Sequence, residues 1–377
     1  MVSKGFVYAV VLTFAIVGAF YGAYAVPWML NNPIALGPWL TWNDDPSSSV
    51  VISWWTAVED NSYVFIKNST WNATYWSNGT RVHHVKITGL VPEQEYKYFV
   101  NSTGADLINV LGGPFSFTLV SKTRESFKFL VFADRAGWVI ANGFSSVVSA
   151  MLRESNISFV VGIGDYVNGP LIWDEWKAFL TEAKPLISRY PFIPAVGNHD
   201  HEGVSRTGGG DGGAKFYELM SLPGTNGSFV LKIANVNIVI FACNTSHYPI
   251  PDAQLDWLNS TLRSLDGLTF VFFHVPVKTP NYTPLSFTPS SEKMWQILTD
   301  PNNHVSAVFQ GHDHLYARWM EGNIPFVIAG GNGELDPYAI NGEICHHYIR
   351  AEINGNSAVF TVLRVDGTVV DTFSVQR

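Results

Sequence analysis

Short runs of β-branched and aromatic residues alternate with turn-forming residues in the first third of the chain. The runs lie at 50–55, 82–87, 96–100 and 115–120. Turn signals such as Asn78-Gly79 lie between them. Closely spaced short strands separated by turns are typical of a β-sandwich. We therefore predict a β-sandwich over residues 33–121, in which His83 and His84 are surface residues of a strand.

The hydrophobic pattern changes after a polar stretch at 121–125, which is the predicted linker. Apolar runs become longer and nearly continuous at 127–133, 159–163, 192–196, 236–242, 268–273 and 305–309. Amphipathic stretches of helical period lie at 145–153, 173–187, 253–265 and 292–298. Continuous apolar runs fit strands buried on both faces, and strands alternating with helices indicate a layered α/β domain. The predicted fold class is α+β, an N-terminal β-sandwich followed by a four-layer αββα domain over residues 127–377.

The first 30 residues have the pattern of a targeting segment. Lys4 precedes an apolar run at 6–20, and an A-x-A triplet follows at 23–25. A basic start, an apolar middle and such an end describe a secretory signal peptide. A retained anchor is the alternative, because residues 5–26 are long enough to span a bilayer. Both place the remaining chain outside the cytoplasm, so we predict an extracellular or cell-surface protein that is secreted or N-terminally anchored.

Nine N-x-[ST] triplets without a central proline agree with export. Their asparagines are Asn68, Asn72, Asn78, Asn101, Asn156, Asn226, Asn244, Asn259 and Asn281. Any one triplet is weak evidence, because the motif is short. Their density predicts a surface that carries N-linked glycans.

Charge and cysteine content narrow the classes of partner. Charged residues make up 14% of the chain, the formal net charge is -8 and Lys and Arg form no run, so nucleic-acid binding is not expected. An acidic protein that handles phosphate needs a local cation, which a bound metal supplies. Two cysteines, Cys243 and Cys345, are too few for a disulfide framework or a four-thiolate zinc site. One bridge between them and two separate buried thiols both stay open.

Candidate active-site residues lie just after the predicted strands of the second domain. They are the acid His199 and the metal ligands Asp134, Asp165, Asn198, His274, His312 and His314. Because open α/β sheets bind ligands at the carboxyl ends of their strands, these side chains are expected to converge. Mixed oxygen and imidazole ligands suit Zn, Mn or Fe, and two ions about 3.5–4 Å apart can clamp an in-line phosphoryl displacement. Asp165 is the natural bridge between two ions, and His199 suits an acid near the leaving oxygen.

The order of these motifs resembles calcineurin-like metallophosphoesterases. The pattern D…GDxxN…GNHD…H…GHxH lies within residues 127–335, with each motif after a strand. The predicted sandwich carries an L-x-P-x-x-x-Y corner at Leu90, Pro92 and Tyr96, which resembles fibronectin type III domains. The combination is similar to purple acid phosphatases, which join a fibronectin-like domain to a catalytic domain of this kind.

The resemblance implies a role for each candidate ligand. Asp165 bridges two ions, and His199 acts as an acid or stabilises the transition state. The other implied ligands are Asn198, His274 and His312 for one ion, and Asp134 and His314 for its neighbour.

This chain departs from the family pattern at one of the two metal sites. Many members have a histidine two residues after the first aspartate, where this chain has Ala136. Purple acid phosphatases have a tyrosine three residues after the bridging aspartate, where this chain has Asn168. We therefore expect divalent rather than ferric ions and a colourless protein. Asn168 is then either a weaker oxygen ligand or a hydrogen-bond partner.

The predicted function is an acid-phosphatase-like phosphomonoesterase that acts on small phosphoesters with two divalent ions (Fe, Zn or Mn). Asp165 and His199 are its catalytic residues, and Arg135 either contacts the substrate phosphate or is a surface residue. Two alternatives stay open. A phosphodiesterase or nucleotide hydrolase uses the same metals, because the motifs specify the ions and not the leaving group. A non-catalytic cell-surface binding protein with one degenerate metal site is the other, because Ala136 and Asn168 leave that site short of ligands.

Overall fold

The computed structural model describes most of the chain. The described residues are 35–102, 112–136, 143–203, 209–224, 227–242, 250–278, 289–336 and 341–377. The predicted signal peptide or anchor lies outside them, as do Cys243, Asn226, Asn244 and Asn281. Within these ranges no helix is long and apolar enough to cross a membrane.

Five strands form the first part of the chain. They are β1 (Ala35–Thr41), β2 (Ser49–Lys67), β3 (Asn72–Thr88), β4 (Glu95–Ser102) and β5 (Gly112–Thr118). Alternate side chains of these strands enter a core that contains Trp54 and Tyr98. The Tyr96 hydroxyl accepts a hydrogen bond from the backbone N–H of Val91 at 2.8 Å, so it caps the corner as predicted.

The prediction that His83 is a surface residue is wrong. His83 is fully buried and stacks on Trp54, with the ring centroids 4.7 Å apart. Side chains alternate along β3, so His83 lies on the buried side with Val85, whereas His84 is exposed. Burial lowers the pKa of His83 to about 4, against the raising effect of the Asp60 charge.

The second part of the chain alternates strands with helices. The strands are β6 (Ser126–Phe132), β7 (Ile157–Ile163), β8 (Phe192–Ala195), β9 (Phe229–Ile233), β10 (Val236–Ile240), β11 (Leu268–Phe272), β12 (Ala307–Gln310), β13 (Tyr316–Glu321), β14 (Ile324–Ala329), β15 (His347–Asn354), β16 (Ser357–Arg364) and β17 (Val369–Gln376). The helices are α1 (Gly143–Met151), α2 (Trp173–Ile187), α3 (Asn198–His201), α4 (Ala214–Leu219), α5 (Asp252–Ser264) and α6 (Pro289–Thr299), and a 3-10 turn lies at Pro301–Asn303.

Two sheets and flanking helices organise these elements into layers. One sheet has the order β17-β16-β15-β6-β7-β8-β1-β2-β4-β5, with β3 paired to β2, and the other has the order β13-β14-β12-β11-β10-β9. Their facing sides share one core, in which Phe129 of the first sheet lies near Phe270 of the second. Helices α1 and α2 pack on the other side of the first sheet, and α5 and α6 on that of the second. Strands covered on both sides are completely buried, as in β7 and β11.

The strands of the predicted sandwich are joined to the second part by backbone pairing. Thr41 at the end of β1 pairs in parallel with Phe192 at the start of β8. The indole N–H of Trp39 also donates to the Leu219 carbonyl at 3.1 Å, and the Tyr98 hydroxyl donates to the Ser188 carbonyl at 2.7 Å. The division into a fibronectin-like unit at 33–121 and a catalytic domain at 127–377 therefore stays a prediction.

The carboxyl ends of parallel strands in both sheets meet at one place. Strands β6, β7 and β8 are parallel neighbours in the first sheet, and β11 and β12 are parallel neighbours in the second. The residues that follow these strands include Asp134, Asp165, Asn198, His274 and His312. The predicted ligands are thus brought together from two facing sheets, at the edge where such sheets bind ligands.

Candidate metal centre

Three of the predicted ligands leave their strands in the left-handed backbone conformation. The φ angles are 57° at Asp134, 55° at Asp165 and 72° at His312. Residues other than glycine rarely adopt this conformation, and such residues cluster at functional sites when the surroundings hold them there. Here the Asp134 N–H donates to the Gly164 carbonyl at 3.1 Å, and the Ala136 N–H to the Asp165 carbonyl at 2.8 Å. The surrounding hydrogen bonds therefore hold the backbone in an uncommon conformation at positions that carry candidate ligands.

His274 is oriented so that one ring nitrogen faces two carboxylates. Its side chain is fully buried, and Nδ1 donates to the Ile163 carbonyl at 2.6 Å, which leaves Nε2 as a lone-pair acceptor. Nε2 lies 3.0 Å from Asp165 Oδ2 and 3.9 Å from Asp134 Oδ1. Nε2 nevertheless makes no hydrogen bond of acceptable geometry. A buried lone pair that faces two carboxylates requires a positive charge between them, either a proton or a metal ion.

The pKa shifts of His274, Asp165 and Asp134 reflect how closely these buried groups interact. Burial lowers the pKa of His274, but the charges of Asp165 and Asp134 outweigh burial and raise it to about 10. Burial raises the pKa of Asp165, whereas His274 and then His199 lower it to a net value below the ordinary one. Burial raises the pKa of Asp134 well above its ordinary value. Two buried carboxylates in one cluster can share this space when a proton is bound to one of them or when a cation lies between them.

His312 completes a group with metal-ligand spacing. One donor atom each from Asp165, His274 and His312 lies within 4.8 Å of the other two. His312 Nδ1 is also 3.0 Å from the side-chain oxygen of Asn198. Burial lowers the pKa of His312 to about 3, so its ring is neutral and retains a lone pair for a metal. One carboxylate, one amide oxygen and two imidazoles form a donor set that suits Zn, Mn or Fe.

The neighbouring ligands are more loosely arranged. His314 Nε2 lies 3.8 Å from Asp134 Oδ1. Both Asp134 oxygens accept the His312 backbone N–H, at 2.9 and 3.0 Å. Ala136 is buried and offers only a methyl group, and the Asn168 side chain is 7% exposed. This second set also fits a divalent ion in donor chemistry, but with fewer strong ligands than the first.

His199 lies at the accessible side of the cluster. Its backbone N–H donates to Asp165 Oδ1 at 2.9 Å, and its Nδ1 is 3.1 Å from the Asn168 carbonyl oxygen. That contact assigns a proton to Nδ1, and Nε2 lies 3.9 Å from Asp165 Oδ2. The side chain is 20% exposed, so it is positioned to exchange a proton with a bound molecule.

Asp200 is not one of the candidate ligands, but it supports two of the loops that carry them. Its fully buried carboxylate accepts backbone N–H groups at Asp165, Tyr166, Val167 and Gly197, at 2.8 to 3.2 Å. Burial, and next the charge of Asp165, raises the pKa of Asp200 to about 7, whereas the backbone donors act in the opposite direction. Its place as the last letter of GNHD was the available signal. Asp200 ties the loop after β7 to the loop after β8.

Arg135 is bound to one carboxylate and one backbone carbonyl, and a contact with substrate phosphate stays a prediction. Nε and Nη2 each lie 3.1 Å from a carboxylate oxygen of Glu182, and Nη1 is 3.4 Å from the Tyr166 carbonyl. Such a two-point ion pair fixes the plane of the guanidinium. Through the Tyr166 carbonyl, Arg135 therefore supports the loop that carries Asp165.

Comparison with known proteins agrees with this architecture and gives the family. Two facing sheets flanked by helices, with oxygen and imidazole side chains at their shared edge, describe a layered protein of α and β elements with a candidate metal site. The family model for calcineurin-like phosphoesterases matches residues 127–316, half of the chain, and the chain belongs to that family. The resemblance predicted from the ordered motifs is thereby confirmed.

Purple acid phosphatases are among the similar proteins. The chain is 27% identical over 274 residues to purple acid phosphatase 21 of Arabidopsis thaliana, covering 70% of this chain and 57% of that protein. It thus spans little more than half the length of that relative. The structure of purple acid phosphatase PPD1 from yellow lupin (Lupinus luteus) superposes with a TM-score of 0.77 at 13% identity, covering 91% of this chain and 74% of that one. The structure of PhoD gives 0.66 at 13% identity, covering 90% of both chains. These two structural likenesses show the fold alone.

Proposed function

We propose that this protein is an exported, metal-dependent phosphoesterase that hydrolyses small phosphate monoesters at a binuclear centre. One observation carries the proposal. The buried Nε2 of His274 is a lone-pair acceptor, and it faces the carboxylates of Asp165 and Asp134, which are also acceptors. The family and the purple acid phosphatase relatives support phosphoester hydrolysis as the reaction class. A fibronectin-like unit at 33–121 and an αββα catalytic domain at 127–377 are the proposed organisation.

The proposed ligand sets follow the strand ends. One ion is held by Asp165, Asn198, His274 and His312, and its neighbour by Asp134, Asp165, His314 and the weaker Asn168. When bound, such ions polarise a phosphoryl oxygen and lower the pKa of a water that attacks phosphorus. The chain supplies the rest: His274 is held in the ligating tautomer by Ile163, and Asp200 and Arg135 hold the loop that presents Asp165.

His199 is the proposed proton donor to the leaving oxygen. In the protonated form of the ring, Nδ1 donates to the Asn168 carbonyl, and Nε2 holds the second proton, which it would give to the leaving oxygen. Protonation by a positioned histidine typically contributes about 10²–10⁴-fold to the rate. Because an alkoxide is a poor leaving group and a phenolate a better one, loss of the acid should harm alkyl esters more than aryl esters.

The test is kinetic and uses two substrates and one variant. His199→Ala is expected to lower kcat for an alkyl phosphate by about 10²–10⁴-fold, and to lower kcat for p-nitrophenyl phosphate less. The matched control is His304→Ala, since His304 is an exposed residue directly after the 3-10 helix. An equal loss on both esters would assign His199 to positioning rather than proton transfer. A wild-type chain that cleaves bis(p-nitrophenyl) phosphate faster than the monoester would replace the monoesterase with the diesterase.

A further inference from the structure

Four aromatic side chains lie together on the outer face of the first part of the chain, away from the metal centre. Tyr63, Phe65, Trp76 and Phe99, here called the aromatic platform, come from strands β2, β3 and β4. Trp76 is 56% exposed, and the other three are partly exposed. The ring centroids are 4.9 Å apart for Tyr63 and Trp76, and 6.1 Å apart for Phe65 and Phe99. A contiguous exposed apolar patch usually marks a surface that contacts another molecule or group.

The sequon asparagines Asn72 and Asn101 lie on the same face as the aromatic platform. Asn101 is the cross-strand partner of Tyr63, which in turn pairs with Trp76, so the three residues form one row across β4, β2 and β3. Asn72 is the partner of Lys67, one pleat along β2 from Phe65. Side chains two residues apart on a strand point to the same face, which places both asparagines beside exposed rings. The sequon at Asn101 also carries Phe99 two residues before it.

The geometry matches the reach of a sugar chain. Neighbouring strands are about 4.8 Å apart, so Trp76 lies about 10 Å from Asn101 across Tyr63, a span for a disaccharide. Sugar rings present a face of polarised C–H groups, which packs on the negative face of an aromatic ring. The polar rim of Lys67, Lys97 and Thr74 offers partners for sugar hydroxyls. A second copy of this chain is less suited to the face, because those two lysines would meet their own equivalents.

We propose that N-linked glycans on Asn72 and Asn101 pack against the aromatic platform and cover it. The proposal rests on the export that is part of the proposed function. In the modification an oligosaccharide is transferred from a lipid diphosphate carrier: the bond from asparagine Nδ2 to the sugar C1 forms, the bond from C1 to the diphosphate oxygen breaks, the amide loses one proton and the lipid diphosphate leaves. The Asn101 amide now donates to the Tyr63 hydroxyl at 3.2 Å, and the modified amide keeps one hydrogen for that bond.

The experiment compares glycan occupancy with the exposure of Trp76. The full chain is produced in a secretory host that attaches N-linked glycans, and glycopeptides are mapped by mass spectrometry. Hydroxyl-radical oxidation of Trp76 is then measured for the wild type, Asn72→Gln, Asn101→Gln and Thr103→Ala, the last of which removes the second sequon and keeps the Asn101 amide. Asn156→Gln is the matched control, because that exposed sequon lies in the turn before β7.

Occupied Asn72 and Asn101 are expected, with Trp76 oxidised about threefold or more slowly than in a chain trimmed to single sugars, since a ring that is 56% exposed has most of its exposure to lose. Thr103→Ala should restore fast oxidation, and Asn156→Gln should not. Glycan at Asn156 but none at Asn72 and Asn101 would overturn this proposal alone, as would occupied sites with unchanged oxidation. No glycan at any sequon would overturn export as well. Binding of free oligosaccharide to the unmodified chain, lost in Trp76→Ala, would instead assign the surface to an external sugar.

Discussion

Replacement of Asp200 tests whether one buried carboxylate holds the two loops that carry the ligands. Oδ1 accepts the backbone N–H groups of Tyr166 at 2.8 Å and Val167 at 3.2 Å. Oδ2 accepts those of Asp165 at 2.8 Å and Gly197 at 2.9 Å. An asparagine amide keeps one carbonyl oxygen, which can satisfy two of these donors. Its NH₂ group would then face the other two donors with no lone pair to offer.

The expected cost follows from that count. Two buried N–H donors left without an acceptor cost about 1–3 kcal/mol each, so Asp200→Asn should lose about 2–6 kcal/mol of unfolding free energy. Asp200→Ala would strand all four donors and cost about 4–12 kcal/mol, which is comparable to the whole stability of a domain. The asparagine variant is therefore the informative one, because it keeps the volume and two of the bonds. Its metal affinity should fall about 10–100-fold, since the Asp165 backbone loses its support.

The measurement is urea unfolding followed by circular dichroism at pH 8, where the carboxylate is ionised, with the midpoint and slope fitted separately. Asp366→Asn is the matched control. Its exposed Oδ1 accepts from the Thr368 N–H at 2.9 Å and the Thr368 hydroxyl at 2.7 Å, and an amide oxygen can keep both bonds. The control should stay within about 0.5 kcal/mol of the wild type. A cost below about 1 kcal/mol for Asp200→Asn would refute the count of stranded donors.

Three further predictions concern stability and colour. The pKa of His83 falls from 6.5 to about 4 on folding, so up to about 3 kcal/mol of unfolding free energy, fully present above pH 6.5, is lost as pH falls towards 4. Urea unfolding at a series of pH values should show a weaker dependence of the unfolding free energy on pH for His83→Gln. An unchanged dependence would contradict the argument that burial lowers this pKa. Calorimetry should give one unfolding transition, because Thr41 pairs with Phe192 and Tyr98 binds Ser188 across the predicted linker, whereas two transitions would mean independent domains. The metal-loaded protein should lack a visible charge-transfer band, because Asn168 stands where a phenolate would be; a purple sample would contradict this.

The positions of the candidate ligands could be predicted from sequence because each one lies next to a strong signal. An apolar run ends, and a carboxylate or histidine follows, after one glycine at Asp165 and directly at His274. Continuous burial of β7 and β11 is likewise written in their unbroken apolar sequence. The convergence of these ends required only the rule that parallel strands share a carboxyl edge.

Other features depend on partners distant in sequence. Three of the four backbone N–H groups that Asp200 accepts are more than 30 positions away, and backbone donors have no side-chain signature. The pairing of Thr41 with Phe192 joins two parts that look separate by composition, and nothing in either segment encodes its neighbour. The extent of β2 and β3 was hidden because polar residues at 59–62 interrupt the apolar run, and the pairing register shifts there. The burial of His83 could have been predicted from Val85, because residues two apart on a strand point to the same face.

Anomalous X-ray diffraction at a metal absorption edge tests whether the cluster of Asp165, His274 and their neighbours binds two metal ions. Crystals grown with Mn or Zn and measured on both sides of the edge locate the ions without reference to activity. We expect a strong peak about 2.0–2.2 Å from His274 Nε2 and from an Asp165 oxygen. A second peak should lie about 3.5–4 Å from the first, beside Asp134 and His314. A single peak would reduce the centre to one metal. No peak between His274 and Asp165, with their short contact retained at neutral pH, would mean that a proton fills the role assigned to the metal.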